Sequence, residues 1–93
     1  MNKAKVLKQL QSIPSIGKAC SVDLWNIGVR SIGDLKGQNP ALLYERLNLL
    51  TGAKHDICTL YTFRCAVYYA TEKNQDREKL KWWYWKDKAY NES

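Results

Sequence analysis

Residues 13–18 read Ile13-Pro14-Ser15-Ile16-Gly17-Lys18, and this stretch constrains the fold more than any other. Proline lacks a backbone donor and disfavours helix at the residue before it, so a helix arriving here must stop. Val6, Leu7, Leu10 and Ile13 recur at helical spacing and predict that helix over about Lys3 to Ser12. Leu24 and Trp25 belong to a second helix, from about Lys18 to Asn26, closed by Gly28 as a left-handed cap. Two helices joined by a short apolar turn holding a glycine make a phosphate-binding device. The N–H groups at a helix start are unpaired, and the helix dipole draws anions there. Glycine lets a phosphate come close.

The rest of the chain also reads as helix. Ser31 and Asp34 form a capping box for a short third helix, ended by Gly37. Asn39-Pro40 opens a fourth, with Leu43, Leu47 and Leu50 as its inner stripe and Gly52 as its cap. A fifth runs from about Asp56 to Glu72. Ile57, Leu60, Tyr61, Phe63, Val67, Tyr68 and Ala70 cover most of its circumference. A helix apolar nearly all round is buried, so this one is expected at the centre with the first three packed on it. After the polar break at residues 74–76, a last helical piece spans about Arg77 to Lys88. Nowhere do apolar and polar residues alternate as a strand requires. The expected fold is an all-α domain of five to six helices spanning 1–93. Its helix pair covers about 7–35, and a Trp-rich latch covers about 77–88.

Ninety-three residues bury only about 60–65% of their unfolded surface, so the core is thin. Four Trp, six Tyr and one Phe compensate with large apolar areas. No apolar run nears the roughly 20 residues of a membrane span, and residues 1–10 do not read as a secretory signal. Cys20, Cys58 and Cys65 contain no Cys-x-x-Cys pair, and there is a single histidine. These read as reduced thiols of a cytoplasmic protein, with no metal site. The formal charge is +6, unevenly spread. Residues 1–36 carry six bases against two acids, whereas 37–71 and 72–93 each carry an excess of one. The positive charge gathers around the glycine turn, which points to a polyanion partner.

Residues 10–35 resemble a helix-hairpin-helix motif, a module that grips the DNA backbone without reading sequence. Gly17 matches the second glycine of its hairpin, Ile13 and Ile16 the apolar positions, and Ser21 the small residue at the helix crossing. Ser15 stands where a first glycine is usual, and its Cβ limits both the turn and the approach of a phosphate. Leu43-Tyr44-Glu45-Arg46-Leu47, Thr51-Gly52, His55-Asp56-Ile57-Cys58 and the run from Trp82 to Asp87 extend the likeness over most of the chain. Together they resemble the pathogenicity-locus family, short bacterial proteins built around a helix-hairpin-helix fold.

The expected site is therefore the backbone of Ser15, Ile16, Gly17, Lys18 and Ala19, with Lys18 as the basic first-turn residue that the motif often uses. Lys5 and Lys8, on one face of the first helix, broaden the footprint or serve only solubility. The resemblance also allows a monovalent cation between hairpin and phosphate; no other cofactor is expected. The expected partner is double-stranded DNA, held weakly by a monomer or weak dimer. The alternative is a protein-interaction module of the same fold with no DNA affinity. Trp83 is its candidate contact, since on a helix Trp82 and Trp85 share a face that excludes it. Catalysis is not expected. Asp56 beside His55 is explained as a helix cap, and no nucleophile with a positioned base is evident.

Overall fold

The structure is a computed structural model that describes residues 2–92. It contains helices α1 (Lys3–Leu10), α2 (Lys18–Asn26), α3 (Pro40–Thr51) and α4 (Ile57–Thr71). Three 3₁₀ segments complete it: Ile32–Leu35, Arg77–Leu80 and Trp82–Asp87. No strand occurs among the described residues. The all-α fold is as the sequence predicts.

The caps explain most boundaries. Asn2 accepts from the N–H groups of Ala4 and Lys5, Asn39 from Ala41 and Leu42, and Asp56 from Cys58. Gly52 closes α3 at φ 70°, where a side chain would be strained. Helix α1 ends two residues before the expected Ser12. There the ladder tightens, with Ser12 N–H donating to Gln9 O and Ile13 N–H to Leu10 O.

Helices α1 and α2 run antiparallel. Gln11, just past the end of α1, donates to Ser21 near the start of α2 at 3.2 Å. At the other end Lys3 lies over the Trp25 ring. Ser21 is fully buried between them and turns its own hydroxyl onto Lys18 O at 2.6 Å. Helix α4 is the central element, and the 3₁₀ segment Ile32–Leu35 packs on it as expected, but its largest partners are α3 and Trp82–Asp87 rather than α1 and α2. The α1–α2 pair joins the core through Leu10, Ile13, Ile16 and Leu24, which cluster with Phe63 and Val67 of α4.

Two packing expectations change. Leu50 is 58% exposed, and Tyr44 takes the inner position beside Leu43 and Leu47. The Tyr44 hydroxyl reaches His55 O, an anchor that leucine lacks. The C-terminal piece is not one α-helix. It breaks at Lys81, whose backbone is extended at φ −94°, ψ 124°. The Trp85 indole donates to Lys79 O at 2.8 Å, a carbonyl that a continuous α-helix would give to residue 83. Trp85 is thereby buried against Tyr68 and Cys65, while Trp82 and Trp83 are 36% and 57% exposed. Trp82 and Trp85 thus do not share a buried face.

Candidate nucleic-acid interface

Residues 11–17 connect α1 to α2. Ile13 and Ile16 are pegs driven into the core, and the Ile16 N–H closes the turn onto Ile13 O at 2.9 Å. That bond removes the Ile16 N–H from the expected anion-binding set, because a donor already aligned on a carbonyl has no free hydrogen to offer. Ser15 also turns inward: its hydroxyl donates to Thr62 O of α4 at 3.4 Å. It fastens the turn to the central helix and offers no hydroxyl to a ligand outside.

What remains open is the start of α2. Gly17 is its N-cap and supplies no side chain, so the N–H groups of Lys18, Ala19 and Cys20 lack partners among the described residues. The other three α-helices are each capped by a side chain. Gly17 sits at φ −91°, ψ −172°, extended backbone that any residue adopts. A Cβ built there meets nothing within 4 Å. Neither strain nor crowding demands glycine here, although glycine is a better N-cap than alanine or the apolar side chains.

Lys18 and Ala19 are exposed beside it. Lys5 and Lys8 on α1 are exposed as well, and none of the three lysines pairs with a carboxylate among the described residues. Arg30, counted in the same basic third, is engaged elsewhere. Its guanidinium stacks 3.6 Å from the Trp25 ring centre and donates to Trp25 O at 2.6 Å. The pattern that signals this is an arginine five residues after a tryptophan across a helix end. Burial pushes the carboxyl of Asp23, the acid on α2, up from its ordinary value, and nearby His55 works in the opposite direction.

The groups that suggest catalysis are all occupied structurally. His55 Nδ1 lies 2.8 Å from Asn48 Oδ1, and Asp56 spends its carboxylate on the Cys58 N–H. Burial pushes the Cys20 and Cys65 thiols up, and the Asp56 hydrogen bond does the same to Cys58. No group of three metal-ligating side chains gathers among the described residues. None of the described helices is long and apolar enough to cross a membrane.

These elements define a small all-helical protein whose first two helices present a basic, uncapped helix start. The chain belongs to the pathogenicity-locus family, whose sequence profile matches residues 3–91. No curated protein and no solved structure matches it.

Proposed function

We propose that this protein is a non-enzymatic nucleic-acid-binding domain that grips the backbone of double-stranded DNA through a helix-hairpin-helix formed by α1, residues 11–17 and α2. The observation that carries the reading is Gly17. Neither its backbone angles nor its neighbours require glycine, and with no side chain it leaves the first N–H groups of α2 open to a ligand. A phosphate oxygen approaching those donors would gain charge-assisted hydrogen bonds and the favourable end of the helix dipole. Lys18 adds an exposed cation in the same turn, and Lys5 and Lys8 extend the positive surface. Phosphate contacts position a protein without specifying sequence, so binding is sequence-independent.

The thiols support a non-enzymatic role. Raised above their ordinary range, they are poor nucleophiles at neutral pH. One observation favours a second reading: Trp83 is 57% exposed and forms an edge-on pair with Trp82, which suits a protein contact.

Anisotropy titrations with a duplex across a salt series separate the two. A contact with two to four phosphates implies a dissociation constant on the order of micromolar and a salt slope of about −2 to −4. Lys18→Glu is expected to weaken binding at least tenfold and flatten the slope. Unchanged affinity and slope in that variant would exclude the hairpin as the contact. Replacing sodium by potassium tests a cation bridge, which would tighten the wild type.

A further inference from the structure

The side of α3 turned away from the core carries a sequence symmetric about its own centre. Pro40, Leu43, Tyr44 and Leu47 face inward and are buried. Opposite them lie Leu42, Glu45, Arg46 and Leu49, spaced i, i+3, i+4, i+7 and therefore in one stripe. Leu42 is 56% and Leu49 83% exposed, a large apolar surface for a helix that needs only polar residues there. The two leucines flank the two charges symmetrically about the point between residues 45 and 46. An isologous two-fold contact requires that residue i meet j while j meets i. An antiparallel two-fold centred on that point sets Leu42 against Leu49 of a second copy and Glu45 against its Arg46, each twice. We propose that α3 is a homodimer contact, its occupant a second copy of this chain.

Three further observations agree. Glu45 forms no ion pair among the described residues. Arg46 spends one N–H on Ile27 O, at 3.3 Å, and keeps the rest of its guanidinium for a carboxylate. Beside Leu49, at the end where the second copy's Leu42 arrives, an open cavity of about 450 Å³ is lined by Asn48, Leu49, Gly52, Ala53 and Lys54. It receives the incoming leucine. Leu50, 58% exposed, adds apolar surface at the edge of the stripe. Stable dimers bury about 800 Å² per partner, more than one helix of this length offers. The association is therefore weak, with a dissociation constant on the order of 100 micromolar.

The test is sedimentation equilibrium of the full chain from about 10 micromolar to 1 millimolar, with circular dichroism to confirm that each variant folds. Wild type is expected to dimerise within that range. Glu45→Arg sets arginines against arginines, and Arg46→Glu sets glutamates against glutamates. Each variant alone is expected to dimerise at least tenfold more weakly, and their equimolar mixture to recover association as a heterodimer. Leu49→Asp is expected to remain monomeric and serves alone if Arg46→Glu does not fold. A wild type monomeric at 1 millimolar, a Leu49→Asp chain that dimerises like wild type, or a mixture no tighter than its folded components overturns the proposal.

Discussion

Gly17 and Ser15 show how much one side chain decides in a turn of seven residues. At Gly17 the conformation is open to any residue and the space beyond Cα is empty. Gly17→Ala is therefore expected to change stability by less than about 1 kcal/mol, because alanine's smaller unfolded-state entropy is offset by its being a poorer N-cap than glycine. A phosphate drawn close to the α2 donors would meet the added methyl, so DNA affinity is expected to fall. Thermal melts and anisotropy read the two effects separately, and unchanged affinity would mean that no phosphate comes that close. At Ser15 the roles reverse, since its hydroxyl faces Thr62 O rather than the outside. The resemblance to a helix-hairpin-helix sets a serine where that motif usually has a glycine. It carries no signal that the side chain bonds a helix 47 residues away. Asp56 makes a residue-scale prediction in pH. Its hydrogen bonds to Cys58 hold its folded pKa below the ordinary value. A carboxyl with a depressed folded pKa stabilises the fold above its unfolded value, about 4, and loses that contribution as pH falls through the folded value. Asp56→Asn, which can still cap, is expected to lose part of this acid-side pH dependence in melting temperature while staying folded at pH 7. An acid profile identical to wild type would place the pH dependence elsewhere.

At the scale of elements, the helices were legible and the C-terminal strap was not. Asn39-Pro40, Asp56 and Gly52 mark helix ends by local chemistry, and the structure ends α3 and starts α4 at those residues. Asp76 caps the 3₁₀ segment Arg77–Leu80 in the same way, on the Glu78 N–H, but beyond Leu80 no such local rule applies. The path there is set by long-range partners: Trp85 on Lys79 O, and Tyr90 edge-on to both Tyr68 and Trp85. Beyond the expected latch at residues 77–88, Arg64 of α4 holds Glu92 by two bonds of 2.7 and 3.0 Å and also donates to Trp85 O. Asn91 bonds the carbonyls of Gly37 and Gln38. The Tyr90 hydroxyl donates to Glu72 while burial and that carboxylate push its pKa up to about 12. Nothing in the periodicity of residues 89–92 announces these contacts, because they depend on α4 being in place. Trp85→Ala empties a buried indole site and removes the indole's bond to Lys79 O, so it is expected to cost about 3–5 kcal/mol. A domain of this length holds only about 5–14 kcal/mol in total. Chemical denaturation of Trp85→Ala against Trp83→Ala checks the assignment, since the exposed Trp83 should cost little. Equal losses would mean that the whole cluster, not Trp85, holds the strap.

At the scale of the whole molecule, what matters is where the charge lies rather than its sum. A polyanion attracts any +6 protein through its long-range field, so binding alone does not locate a site. The bases of residues 72–93 are nearly balanced by acids, and several sit on aromatic rings or carboxylates: Lys88 over Tyr84, Lys79 over Tyr68, Lys81 beside Glu78. Lys5, Lys8 and Lys18 have no such attachments among the described residues. Two variants of equal charge make the distinction. Lys5→Gln with Lys8→Gln removes two positive charges near the proposed contact. Lys73→Gln with Lys86→Gln removes two from exposed positions on the C-terminal segment. If the hairpin side is the contact, the first pair lowers the magnitude of the salt slope by up to about 2, since each lysine that meets a phosphate releases about one counterion. The second pair leaves the slope within error and lowers affinity only through the weaker long-range field, an effect that disappears near 0.15 M salt as the screening length falls to about 8 Å. Equal losses in both slope and affinity would show that the DNA responds to net charge alone, and the α2 start would then be a helix end left to water.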